Sequence, residues 1–207
     1  MKTSPRNSCW RNWRKPHRSC MSTTPVTDTS PFLADIVAPK LSVIFCGINP
    51  GMLAASTGHH FAGRGNRFWR VVHLAGFTPE QLQPEDDLAF LRYGYGLTTA
   101  VARATARADE LSRSEIEAAA SAFEQKIASL APRYIAFLGK MALSAITGKR
   151  DIAWGLQAEP FGGVHAWVLP NPSGLNRSFS LDALESAYRE LHTAVASADE
   201  DHAARSA

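Results

Sequence analysis

The nine residues 43–51, Val-Ile-Phe-Cys-Gly-Ile-Asn-Pro-Gly, limit what this chain can fold into more than any other stretch. The first four are apolar, with no polar residue among them. A short unbroken apolar run closed by turn residues marks a strand buried on both faces, as in parallel sheets covered by helices. Gly47, Pro50 and Gly51 then forbid regular structure. Asn49 is left as a polar side chain at the carboxyl end of a buried strand, the edge at which open α/β sheets bind ligands.

The rest of the chain repeats this arrangement. A glycine-rich loop over 56–66 carries His59, His60, Phe61 and Arg64, and a helix follows over 67–74, with Phe68, Val71 and Val72 on its buried face. A short helix at 85–93 places Asp86 and Asp87 on a solvated face. A turn at Gly94-Tyr95-Gly96 then leads into a strand at 97–99. Residues 101–111 are irregular and basic. Ser112 and Glu115 match a capping box that opens a helix ending before Pro132. Residues 134–138 and 164–169 read as two more buried strands, closed by Gly139-Lys140 and by the run from Pro170 to Arg177. Ser180 caps a last helix with the stripe Leu181, Leu184, Tyr188, Leu191 and Val195.

Strands that alternate with helices predict a three-layer α/β/α sandwich around a mostly parallel sheet. Right-handed crossovers bring the strand ends to one edge, so the loops there build one site. The expected organisation is a basic, disordered leader over 1–31, one domain over 32–196 and a polar, frayed tail over 197–207. The plainer view of the leader is an extension ahead of an ordinary start at Met21.

Composition narrows the partners. The 207 residues are 45% hydrophobic, enough for one core of ordinary size. Six of the 22 Lys/Arg fall in residues 1–20, which hold no acid. The other 16 face 19 Asp/Glu, a net of −3, so nucleic acid would have to be met by a local basic patch. No run reaches the roughly 18 apolar residues of a membrane span, and residues 1–20 lack the apolar core of a secretory signal. Three cysteines, none with metal or cluster spacing, suit a reducing, cytoplasmic setting, and Cys46 reads as an inert core residue.

Several chemistries lack their motif. The chain has no G-x-x-x-x-G-K-[ST] phosphate loop, no G-x-G-x-x-G and no G-x-S-x-G. The adjacent His59 and His60 have no further ligands at metal spacing, so no metal is expected. What remains at the strand ends is Asn49-Pro50 and Asn171-Pro172. Each is a common turn starter by itself. Together, with Phe61 between them, they form a set suited to grip a planar polar ring by its edges and face.

Three runs carry a further likeness. Gly47-Ile48-Asn49-Pro50-Gly51, Asn66-Arg67-Phe68-Trp69 and Asn171-Pro172-Ser173-Gly174-Leu175-Asn176-Arg177 together resemble the mismatch-specific uracil/thymine DNA glycosylases. Leu138-Gly139-Lys140, Trp154-Gly155 and Tyr188-Arg189-Glu190-Leu191 extend the resemblance, which spans about residues 34–195. It implies an enzyme that flips uracil, or in some relatives thymine or ethenocytosine, from opposite guanine in duplex DNA and hydrolyses its N-glycosidic bond without a cofactor. It matches Asn49 to the catalytic asparagine, Phe61 to the ring stacked on the flipped base, and Ile48 and Gly51 to base-edge contacts. Asn171 falls in the pocket wall, and Gly174, Leu175, Asn176 and Arg177 in the wedge that enters the duplex and meets the opposite strand. His59-His60 replaces a more apolar pair, and Asn176 stands where serine is common.

Chemistry adds two expectations. An amide holds a water but cannot take its proton, so Asn49 works by positioning. Asp109, in the segment that borders the family's pocket, is a second catalytic candidate, although an exposed acid ahead of a helix is the plainer view. Arg64, Arg67, Lys140 and Ser173, in or beside the loops, are expected to meet phosphates of double-stranded DNA, with the protein acting as a monomer. The alternatives are a non-catalytic nucleobase- or nucleotide-binding module, or a nucleoside hydrolase.

Overall fold

A computed structural model describes residues 33–206. The leader, with Cys9, Cys20, Trp10 and Trp13, and the expected domain start at Phe32 lie outside the described residues. The elements in chain order are β1 (Val43–Gly47), α1 (Met52–Thr57), α2 (Phe68–Leu74), a 3₁₀ helix (Pro84–Tyr93), β2 (Tyr95–Thr99), α3 (Arg113–Leu130), β3 (Tyr134–Leu138), α4 (Lys140–Thr147), β4 (Gly155–Leu156), β5 (His165–Leu169) and α5 (Leu181–Ser206). The sheet runs β2-β1-β3-β5-β4. The first four are parallel, and only the two-residue β4 is antiparallel.

Alternation along each strand divides the interior into two cores. Val43 and Phe45 of β1, Ala136 of β3 and Leu169 of β5 face α2, the 3₁₀ helix and α5. Ile44 and Cys46, Phe137 and Val168 face α3 and α4 on the other side. Four consecutive residues of β1 are therefore fully buried, as the apolar run requires. Phe45 is the hub of its side. Its ring lies 5.4 Å from Phe68, 5.3 Å from Phe77 and 5.7 Å from Phe90, and it stacks on Tyr188 at 6.3 Å. Each such side chain contributes roughly 1.5–3 kcal/mol by leaving water.

The structure revises four expectations. Only Gly94 turns before β2, with φ 83, and the strand starts at Tyr95. Gly96 serves inside the strand instead: a Cβ there would stand 2.8 Å from the Ile36 carbonyl oxygen, because residue 36 pairs along β2 at Leu97. Asp87 is not solvated but buried, since the 58–66 loop folds over it. A six-residue helix, α1, follows Gly51 where the sequence suggests only loop. Finally, α5 continues through Ser206, past the expected start of a frayed tail at Ser197.

The capping box of α3 is fully formed. The Ser112 hydroxyl accepts the Glu115 amide, and the Glu115 carboxylate accepts the Ser112 amide. Arg103 adds a bond from Nε to the same carboxylate at 2.6 Å, which holds the Glu115 pKa down at about 2. Residues 103–115 are thus tied to a helix end packed on the sheet. Replacing Ser112 by Ala is expected to lower the unfolding free energy by about 1 kcal/mol, while Ser112→Asp retains most of it. Urea midpoints at constant slope measure the difference, and equal midpoints for the two variants would contradict it.

Candidate active site

The carboxyl ends of β1, β2, β3 and β5 open onto one edge of the sheet, and the loops that follow them are zipped together. Beyond β1 and β2 the chains continue side by side: Ala100 N–H bonds to Gly47 O, Val101 N–H to Ile48 O and Thr105 N–H to Pro50 O. This extended pairing carries the irregular 100–105 segment onto the Gly-Ile-Asn-Pro-Gly turn. Asn49, half-buried between them, donates from Nδ2 to Arg103 O at 2.8 Å and to Thr105 Oγ1 at 2.7 Å.

These partners fix which way the amide points. The Arg103 carbonyl can only accept, so the nitrogen must face it. The Thr105 hydroxyl gives its proton to Arg107 O at 2.7 Å and so offers Asn49 a lone pair. Both amide protons of Asn49 are therefore spent, and its Oδ1, with no partner among the described residues, is left as an acceptor. Thr105 is buried, at 4% exposure, and no pattern in the sequence marks it. A threonine in an irregular basic run shows no period, and only the β1–β2 pairing brings it beside Asn49.

The other loops complete the edge. Ile48 is partly buried against both α3-side clusters, and Gly51 faces open space, with nothing within 4 Å of where a Cβ would stand. Phe61 holds a left-handed backbone, φ 58, rare for a residue with a side chain. Its ring stacks on Phe68 at 4.0 Å and 24°. Asn171 packs against Gly139 at the end of β3, and its Oδ1 accepts the Ser173 amide. Leu175 is 80% exposed at the tip of the 171–177 turn, the most exposed large apolar side chain among the described residues. Arg64, Gly174 and Arg177 are exposed beside it.

Two loops far apart in sequence are built as one unit. A Cβ on Gly174 would lie 2.4 Å from the Gly65 carbonyl oxygen, so only glycine allows the backbones to meet. Arg67 fastens the same junction. Its guanidinium donates to the carbonyls of Pro172, Phe179, Ser173 and Asn176, and its backbone N–H bonds to Pro172 O. Four of the five N–H groups of Arg67 are thus committed inside the protein, and one is left for a partner outside it. Asn176 is also turned inward, bracing the turn through Asn171 O and the Ser178 amide. Lys140 lies 4.8 Å over the half-exposed ring of Trp154, whose edge meets Phe179 at 5.3 Å.

Asp109 is exposed and shares no hydrogen bond with Asn49. Both of its oxygens accept from the exposed Arg107, at 3.0 and 2.8 Å, which holds the carboxyl below its ordinary range. His59 and His60 flank Asp87, with His60 Nε2 bonded to Ala34 O, and burial pushes the His60 imidazole below its usual value. Among the described residues no three His, Cys, Asp or Glu side chains are grouped to hold a metal ion. No described helix is long and apolar enough to cross a membrane.

Comparison with known proteins bears on the family and the fold. The sequence profile of the Uracil DNA glycosylase superfamily matches residues 34–192. Among solved structures, the solution NMR structure of a candidate uracil DNA glycosylase from Methanosarcina acetivorans superposes with a TM-score of 0.54 at 21% identity. The match covers 79% of this chain and 98% of that one. At that identity the likeness speaks for the fold, and it agrees with the mostly parallel sheet and its flanking helices.

The junction at Arg67 yields a direct test. Removing the guanidinium in Arg67→Met leaves four carbonyls without their donor and is expected to cost about 1–3 kcal/mol in urea unfolding. Amide exchange at Ser173 and Asn176 should speed up with it. Arg67→Lys keeps the charge but not the planar fork, and should recover less than half of the loss. A lysine variant as stable as the parent would show that charge alone holds the turn.

Proposed function

Because the chain belongs to the Uracil DNA glycosylase superfamily, hydrolases that act on DNA, we propose that it excises uracil paired with guanine from duplex DNA and leaves an abasic site. Thymine or ethenocytosine opposite guanine is the natural extension of the same pocket. The observation that carries the reading is the committed amide of Asn49. With both protons donated to Arg103 O and Thr105 Oγ1, its Oδ1 can only accept, which suits it to hold a water at the strand-end edge.

In this mechanism the extruded base stacks on Phe61 while Ile48 and Gly51 meet its edge through their backbones, with Asn171 in the wall. The C–N bond breaks ahead of water attack, so the sugar gains oxocarbenium character and uracil leaves as an anion. Asn49 orients the water toward C1′ and takes no proton from it; as the C–O bond forms, that proton passes to the departed uracil anion or to solvent. Positioning is therefore the main source of rate. Asp109 enters as a second group on the water's side. Its support is narrower, since Arg107 already occupies both of its oxygens and keeps it ionised.

The exposed turn supplies the rest. Extruding a base costs a few kcal/mol, less at a weak mismatch, and stacking on Phe61 returns about 1–3 kcal/mol. Leu175, held out in solvent by a braced turn, fits the gap left in the duplex. Arg64, Lys140, Arg177 and the Ser173 hydroxyl, whose proton is not used in the hydrogen bond it accepts from the Leu175 amide, are the phosphate partners of this reading, on a monomer. A non-catalytic nucleobase-binding module would use the same pocket but have no use for Leu175 or Arg177.

A labelled duplex with one U opposite G, treated with the protein and then with alkali, should break at the uracil. Asn49→Ala should slow single-turnover excision by at least about 100-fold, in line with the loss of a preorganised polar group. Uracil binding without breakage would favour the binding module. Leu175→Ala is expected to slow excision from the duplex about tenfold, the equivalent of about 1.4 kcal/mol, and to leave single-stranded substrate little changed. Asp109→Asn should reduce the rate if the carboxylate activates water, and an unchanged rate would leave Asn49 to act alone.

A further inference from the structure

Asp87 is the one acidic side chain in the buried class among the described residues, at 3% exposure, and no lysine or arginine there pairs with it. A carboxylate without a cation is costly to bury, so its hydrogen-bond partners matter. They all belong to the 58–66 loop. Asp87 Oδ2 accepts the His60 amide at 2.9 Å, and His59 Nδ1, sealed from solvent and otherwise unpartnered, lies 3.6 Å from the same oxygen.

These bonds converge on the residue before Phe61. The His60 amide is held by Asp87, and its carbonyl accepts Trp69 Nε1–H at 3.1 Å. Its Nε2 pairs with Ala34 O at 2.9 Å, and that carbonyl requires the proton to be on Nε2. The peptide planes on both sides of His60 are thereby fixed. Phe61 follows with φ 58, a conformation that a side-chain-bearing residue keeps only where its surroundings over-determine it. The result is a ring with one face on Phe68 and no other ring of the described residues stacked on its second face.

We propose that Asp87 is a positioning residue for Phe61: by anchoring the His60 amide it holds the aromatic ring flat against Phe68, with its outer face ready for an extruded base. The inference rests on the reading of Phe61 as the base-stacking ring. Asp87 touches neither base nor sugar and acts only through the loop.

A double-mutant cycle on single-turnover excision from a U·G duplex separates this role from a general contribution to the fold. Asp87→Ala and Phe61→Ala are each expected to slow excision about tenfold, a change of about 1.4 kcal/mol. The double variant should be no slower than Phe61→Ala alone, although Asp87→Ala lowers the melting temperature in both backgrounds. Asp87→Asn keeps an oxygen for the His60 amide and should stay within about threefold of the parent, again read against the tenfold scale. Asp87→Ser, too short to reach that amide, serves in the same cycle if the alanine variant does not fold. Multiplying effects in the double variant, or an asparagine variant as slow as alanine, would overturn the proposal. A Phe61→Ala variant as fast as the parent would instead remove the stacking role of Phe61 itself. Hydrogen exchange at the His60 amide, faster in Asp87→Ala, reports the anchor independently of catalysis.

Discussion

The structure depends on β1 being buried on both faces and hydrogen-bonded on both edges. A strand with no exposed surface has to take its polar function beyond its end, and Gly47 is where the side chains thin out. Because β2 and β3 run parallel to it, their ends emerge at the same level, and the loops that follow are forced into one another's company. The pairing of β1 with β2 even outlasts the sheet, as the bonds from Ala100, Val101 and Thr105 to the Gly47–Pro50 turn show. Asn49 is oriented by that continuation: its amide finds Arg103 and Thr105 because the ladder delivers them there.

The second organising element is the junction between the loop before α2 and the turn after β5. It has almost no hydrophobic content. Two glycines in backbone contact and one guanidinium shared among four carbonyls do the work of a small core. Loops built this way are held by directional bonds, which set geometry more sharply than apolar packing does. On the proposed reading, that suits a site in which a ring, an amide oxygen and an exposed leucine keep fixed relative positions. The helices supply the footing: Phe68 and Trp69 of α2 hold the first loop, and the Tyr188 hydroxyl of α5 bonds to Pro170 O beneath the second.

Much of this was legible in the sequence, and the exceptions follow a pattern. Buried strands and amphipathic helices declare themselves by local periodicity, so β1, β3, α3 and the stripe of α5 are found close to where the sequence puts them. Asn49 and Asn171 stood out because each follows such a strand. β4 has two residues and α1 six, too few to show a period. Arg67 beside a glycine loop reads only as a phosphate ligand because the carbonyls that take most of its N–H groups lie 105 to 112 positions away. Asp87 reads as a solvated acid for the same reason, since the peptide that buries it is 27 residues upstream. Local pattern reports which segments are buried, while the partners of polar groups are fixed only when distant segments meet.

The contact of Gly65 with Gly174 has a consequence for how such a pocket can be remodelled. The loop that would choose the base and the turn that would enter the duplex share one backbone surface, with no side chain between them to absorb a change. An insertion or a bulkier residue in either is transmitted to the other as a rigid displacement. On the proposed reading, altered base preference and altered grip on the helix would therefore be geometrically entangled, and a redesign that treats the two loops as separate modules would have to build new slack between them first.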